Sequence, residues 1–252
     1  QSLLKNEEQT NTILQINQDL ENEVQQRKKN EEKLTMAASV FENSLEGIVI
    51  TDTQARILDV NSAFEDITGY NRDEAVGQTP RLLKSNRHDK SFYQNMWANL
   101  TQKGMWQGEI WNRRKSGEVY PEWRNITMVR DKQGKPVKYI SIFTDITEKK
   151  LSEEKIYHLA HYDVLTGLPN RMMFKERLNQ SLARAHRNNT VLAILFLDLD
   201  RFKLINDTYG HDMGDRIIKK TASRLKGLED SYVTIGRFGG DEFLIFGEGY
   251  QN

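Results

Sequence analysis

Two glycines followed by two acids, Gly239-Gly240-Asp241-Glu242, stand between the apolar runs 232–235 and 243–246. Glycine tolerates the positive φ that a tight hairpin needs, so the pattern predicts two strands joined by a β-turn. Two adjacent carboxylates then sit at a hairpin tip, beside backbone that carries no side chains to block a ligand. Such a tip suits a metal ion and a phosphate.

The rest of the chain bounds what that tip can belong to. At 252 residues the expectation is one to two domains with real cores. Lys+Arg and Asp+Glu both number 36, so no bulk charge draws the chain to nucleic acid or anionic lipid. There is no cysteine, which removes disulfides, cysteine-ligated zinc and iron–sulfur clusters and suits a reducing cytoplasm. The longest apolar stretch, residues 191–197, is far short of the roughly 20 residues of a membrane helix, so no direct membrane insertion is expected. No signal peptide opens the chain. A first residue of Gln and an end at Asn252, nine residues past Phe243, read as a fragment whose parent has room upstream for an inner-membrane anchor.

Three parts follow one another. Residues 1–37 are polar and almost free of Gly and Pro, with Ile13, Leu20 and Leu34 at d positions and Leu3, Val24 and Ala38 at a. Thr10, Asn17, Arg27 and Glu31 interrupt that seam. An imperfect heptad fits a parallel dimeric coil, the expectation here, or a solvated single helix that is marginal alone. Residues 38–147 change to short β-runs: 47–51 and 56–60 around a turn, a mostly helical stretch 62–100, then strands near 105–114, 118–130 and 137–144. This is an α+β domain with one antiparallel five-stranded sheet. A helix over 148–161, capped by Asp145 or Thr147 with Glu148 in capping-box spacing, links to residues 162–252. There strand–helix alternation predicts an α/β layer, with 191–197 a buried strand and a ligand site at the strand ends.

With the elements placed, the last part resembles the GGDEF domains, the diguanylate cyclases. The resemblance rests on His161-Tyr162-Asp163-Val164-Leu165-Thr166-Gly167-Leu168-Pro169-Asn170-Arg171, on Phe196-Leu197-Asp198-Leu199-Asp200-Arg201-Phe202-Lys203 running on through Asn206, Gly214 and Asp215, and on Arg237-Phe238-Gly239-Gly240-Asp241-Glu242-Phe243. The middle part resembles a PAS sensor domain through Gly47-Ile48-Val49-Ile50-Thr51-Asp52, Asn61-Ser62-Ala63-Phe64, Thr68-Gly69-Tyr70, residues 112–118 and Asp145-Ile146-Thr147.

The resemblance implies that two GTP molecules are joined into cyclic di-GMP with release of two pyrophosphates, on Mg²⁺ or Mn²⁺. It implies that Asp198, the Leu199 carbonyl and Asp241 hold the ions, with Asp241 and Glu242 catalytic. Asn206 and Asp215 match the guanine-recognising positions, where an amide and a carboxylate fit the base edge. Phe202 and Lys203 fall at the phosphates, and Gly239 and Gly240 let the nucleotide reach the main chain. Asp163, Asn170 and Arg171 read as structural, tying the linker helix to the domain. The family's product-inhibition motif, Arg-x-x-Asp, is replaced by Asp230-Ser231-Tyr232-Val233, so no product-inhibition site is expected.

Each half-site carries one GTP, so the reading calls for a homodimer through the coil and the PAS domain. The aromatic set Trp97, Trp106, Trp111, Trp123, Tyr120, Tyr139 and Phe143 fits core and dimer-face packing, or a pocket for a small molecule or a non-covalent flavin. His88 reads as a loop residue rather than a haem ligand. The rival to the cyclase is a GTP-binding regulatory module for a downstream cyclic di-GMP phosphodiesterase domain; a dimeric scaffold without activity is the third reading.

Overall fold

The N-terminal stretch, free of Gly and Pro through Glu42, forms a single helix, α1 (Ser2–Glu42). The computed structural model describes the backbone of residues 2–230 and 232–250, and the side chains of residues 18, 20–230 and 232–248. Leu3, Thr10, Ile13 and Asn17 of the heptad therefore lie outside the described side chains. Of the rest, Leu20, Val24 and Leu34 are 52%, 60% and 72% exposed. The helix ends where Asn43 and Ser44 interrupt it. There the Asn61 side-chain amide donates to the carbonyls of Phe41 and Glu46 at 3.1 and 2.9 Å, and Arg72 pairs with Glu42 at 2.6 Å.

The chain divides into two units, Gln1–Glu148 and Lys149–Asn252. In the first, after α1, β1 (Gly47–Thr51) and β2 (Ile57–Val60) form a hairpin, followed by α2 (Ser62–Thr68), α3 (Arg72–Ala75), a 3₁₀ turn (Pro80–Leu83) and α4 (Lys90–Lys103). Strands β3 (Met105–Arg113), β4 (Val119–Arg130) and β5 (Pro136–Asp145) complete an antiparallel sheet of order β2-β1-β5-β4-β3. Asp52 makes the first turn, its Oδ1 accepting from the N–H groups of Gln54 and Arg56 at 2.9 and 2.8 Å. Asn61 is fully buried; its Oδ1 caps α2 at Phe64 N–H and also accepts from Ile48 N–H. Val49, Ile57, Val60, Phe64, Leu83 and Phe143 pack beneath the helices. The expected α+β fold with a five-stranded sheet is what forms.

The helix α5 (Thr147–His161) follows β5 directly. Asp145 Oδ1 accepts from Thr147 N–H at 2.8 Å and its Oγ1 at 2.6 Å, while Arg114 holds the other carboxylate oxygen. Burial opposes ionisation of Asp145, yet the bonds from Arg114 and Thr147 outweigh it and keep the carboxyl below its usual range.

The second unit also contains α6 (Arg171–Asn188), β6 (Val191–Leu197), α7 (Phe202–Tyr209), α8 (His211–Lys226), β7 (Val233–Gly239) and β8 (Glu242–Tyr250). The sheet is antiparallel, in the order β6-β8-β7. Strand β8 is apolar on both faces because both are covered. Phe243 and Ile245 pack with Ile218, Ala222 and Leu225 of α8, whereas Leu244 and Phe246 pack with Phe174 and Leu178 of α6. Strand β6 departs from its expectation as a buried strand. It lies at the sheet edge among the described residues, with Ile194, Leu195 and Phe196 45%, 57% and 80% exposed. Only its ends are drawn in, Leu192 toward α6 and Leu197 toward α8. An apolar run reports that a strand can be covered, not that it is.

Candidate functional site

The glycines of the β7–β8 turn adopt the backbone that side chains resist: φ is 141° at Gly239 and 54° at Gly240. Nothing lies within 4 Å of the space above either one. The turn is held by Arg237, a residue whose role the motif reading missed. Its Nε and Nη2 donate to the Gly240 carbonyl at 3.1 and 2.6 Å, and its Nη1 donates to Asp163 at 2.9 and 3.1 Å. Asp163 also accepts from the backbone and hydroxyl of Thr166 at 2.9 and 2.6 Å. Burial disfavours its charge, but Thr166 and the Arg237 guanidinium prevail and hold the carboxyl below its usual range. The only sequence signal for this clamp was an arginine two residues before the glycine pair.

The register brings the acids to one end of the sheet. Leu197, the last residue of β6, pairs with Phe243, so Asp198 and Leu199 leave β6 at the end of the sheet where the β7–β8 turn carries Asp241 and Glu242. Asp198 and Glu242 are exposed and Asp241 is half-buried. With β6 at the sheet edge among the described residues and not buried as expected, the Asp198 carboxylate that follows it is exposed, without the desolvation that an interior site would impose. Among the described residues, no three His, Cys, Asp or Glu side chains converge on a metal position. The ligand set expected from the sequence, two carboxylates and one carbonyl, falls below that number. These are hard oxygen donors of the kind that Mg²⁺ and Mn²⁺ take, with remaining positions left to phosphate and water. Phe202 N–H donates to the Leu199 carbonyl at 3.1 Å. That carbonyl keeps a second lone pair, whereas the N–H would have to leave it to reach a phosphate.

At the α7–α8 junction, Gly210 (φ 81°) lets the chain reverse, and Gly214 of α8 presses against Asn206 of α7. A Cβ on Gly214 would lie 1.9 Å from Asn206 Oδ1. That Oδ1 is buried and accepts no hydrogen bond. Asp215, the neighbour of Gly214, is exposed, as is Lys203 one residue into α7. Asn170 caps α6, accepting from Met172 and Met173 N–H at 3.0 and 3.1 Å, and its amide donates to Ala160 O of α5 at 2.7 Å. Asp230 Oδ1 accepts from the N–H groups of Tyr232 and Val233 at 2.7 and 2.8 Å, starting β7; Ser231 lies outside the described residues.

The first unit holds a cavity of about 1090 Å³ between its sheet and α4, lined in part by Val49, Met96, Trp97, Ile110, Ile126 and Tyr139. The aromatic set thus splits. Trp97 and Tyr139, 5.5 Å apart edge to face, line the cavity; Tyr120 and Phe143 are core; and Trp123 is 49% exposed. His88 stacks on Phe92 at 3.9 Å, and its Nε2 accepts from Trp111 N–H at 2.9 Å. Burial, ahead of its charged neighbours, pushes its pKa down. No helix among the described residues is long and apolar enough to cross a membrane.

The family model of the diguanylate cyclase GGDEF domain matches residues 160–252, and that of the PAS domain matches residues 45–148. Cyclic di-GMP phosphodiesterase PdeR of Escherichia coli (strain K12) is 30% identical over 214 residues, spanning 84% of this chain and 32% of that protein. Probable diguanylate cyclase DgcE of the same strain is 29% identical over 201 residues, 79% of this chain and 18% of that protein. Diguanylate cyclase TpbB of Pseudomonas aeruginosa (strain PAO1) is 42% identical over 100 residues, 39% of this chain and 23% of that protein. The chain spans less than a third of the length of each of these relatives. Residues 45–148 are a PAS domain, residues 160–252 belong to the GGDEF family of diguanylate cyclase domains, and the chain has the PAS–GGDEF architecture.

Proposed function

We propose that the second unit supplies one half of a diguanylate cyclase site, in which two GTP molecules, each on its own protomer, are joined into cyclic di-GMP. The observation that carries the reading is the pairing of Leu197 with Phe243, which brings Asp198 to the end of the sheet where Asp241 and Glu242 follow an open glycine turn. Mg²⁺ or Mn²⁺, held by Asp198, the Leu199 carbonyl and Asp241, would neutralise charge at the α-phosphate and favour the alkoxide of the attacking 3′-hydroxyl. Asn206 Oδ1, buried against Gly214 without a hydrogen-bond partner, would turn outward to take guanine N–H donors, and Asp215 would accept from the same edge. Lys203 sets a positive charge near the phosphates, and Gly239 and Gly240 admit them to the main chain. The PAS domain, through α5 and a paired α1, sets the distance between the two half-sites and so the rate.

A second reading has its own support, since PdeR, which matches most of this chain, is a phosphodiesterase. In it, the same site holds GTP and regulates a phosphodiesterase domain on the same protein. GTP turnover by the longest protein that carries this chain separates the two, alongside Asp241→Ala and Glu242→Ala. Cyclase activity that falls at least about 100-fold in each variant is expected for the first reading; no cyclic di-GMP from the parent rejects it. A visible absorption spectrum of the purified protein tests the cavity of the PAS domain for a flavin.

A further inference from the structure

The PAS cavity contains something that packing does not explain. Arg124 of β4 is 4% exposed and Ser141 of β5 is 7% exposed, and both line the cavity. Ile126 pairs with Ser141 and Arg124 with Phe143, so the two side chains are diagonal neighbours on one face of the sheet. Neither is satisfied: Arg124 Nε and Nη2 and Ser141 Oγ make no hydrogen bond. Glu122 approaches Arg124 Nε at 2.5 Å, which balances the guanidinium charge while leaving Nη2 without an acceptor. Buried donors without acceptors are costly, a cost that a ligand bearing acceptors would remove.

The lining is one-sided in charge. Arg81, Lys84 and Lys90 stand exposed among the lining residues, and among the described residues no Asp or Glu lines the cavity. Apolar surface predominates on the walls, broken by groups such as Thr51, Gln94 and Asn112. We propose that this cavity binds a small organic monocarboxylate, its carboxylate on Arg124 Nη2 and Ser141 Oγ and its apolar body against Ile110, Ile126 and Trp97. A monoanion suits the inner end better than a phosphate dianion: Glu122 already offsets the Arg124 charge, so the ligand's charge is met there by the Nη2 and Oγ donors alone, and one charge spread over a carboxylate costs less than two. Cations at the exposed part of the lining raise the local concentration of anions and speed their entry. The site is independent of the GTP reading, since it requires nothing from residues 160–252.

The test is calorimetric titration of the whole chain with octanoate and 3-phenylpropionate, each against its own primary amide, which keeps shape and removes charge. Saturable binding of at least one acid, ten-fold or more tighter than its amide, is expected. Glu122→Gln combined with Arg124→Gln removes both charges together, so no lone buried ion is left, and should weaken that acid at least ten-fold. Ser141→Val, an apolar replacement that favours a strand, should weaken it by a similar factor and serves if the double variant does not fold. Equal binding of acid and amide, no binding of either acid, retention of affinity in the folded variants, or a flavin found in the purified protein would each overturn the assignment.

Discussion

Arg237 reaches across 74 positions of sequence to Asp163 while its other nitrogens hold the turn at Gly240. The pair is mostly shielded, at 11% and 21% side-chain exposure, so removing one partner strands the other. Arg237→Ala is expected to cost about 2–3 kcal/mol in urea unfolding. Arg237→Lys keeps the charge but not the fork, and should keep more stability than activity. The sign of the acid limb follows from Asp163. Its folded pKa is lowered, so its contribution is complete above the unfolded value of about 3.9 and is lost as pH falls through the lower folded value. Arg237→Ala should flatten the stability profile in that range. His88 works at higher pH. Its folded pKa is also lowered, but as a buried neutral base, so its contribution is complete above about 6.5 and declines as the unfolded ring takes up a proton below that. The melting temperature should fall between pH 7.5 and 5.5, and less so in His88→Gln, whose amide oxygen can still accept from Trp111 N–H. Sequence reading found the acids at 241 and 242 because adjacent carboxylates after two glycines form a local pattern. It missed the clamp, because an ion pair across 74 residues leaves no local trace.

Among elements, the α7–α8 junction is the most sensitive. Gly214 is small because Asn206 occupies the space where a Cβ would stand. Gly214→Ala must push that amide aside, an overpacking worth about 1–3 kcal/mol. If Asn206 reads guanine, the variant should also weaken GTP binding about ten-fold, while Gly227→Ala at the end of α8 should leave it within two-fold. Equal GTP affinity in wild type and Gly214→Ala would remove Asn206 from the guanine site. Element identities were legible. The three long strands of the PAS domain end within one or two residues of their expected bounds, since period-two alternation and Gly- or Asp-rich turns are strong local signals. The burial of β6 was not legible, because Val191–Leu197 is as apolar as a central strand and its place in the sheet order is set by long-range pairing. The cavity was equally hidden, since Trp97 and Tyr139 as letters look the same lining a space or filling one.

At the scale of the whole molecule, the cyclase reading depends on two copies meeting. Leu20, Val24 and Leu34 of α1 are exposed in one chain, as the seam of a coil would be before it pairs. Val24→Lys with Leu34→Lys should shift light scattering from dimer to monomer and lower cyclase activity of the parent at least ten-fold; full specific activity from a monomer would end that part of the proposal. The edge strand β6 bears on how such a measurement is made. Among the described residues the outer edge of this strand is unpaired and Leu195 and Phe196 are exposed, and such an edge can recruit the same strand of another molecule, with no regard for α1. Phe196→Lys should suppress that route and leave the coil intact. Solution mass alone thus reports two kinds of stickiness at once, one proposed to serve signalling and one a hazard of storage, and the two lysine sets tell them apart.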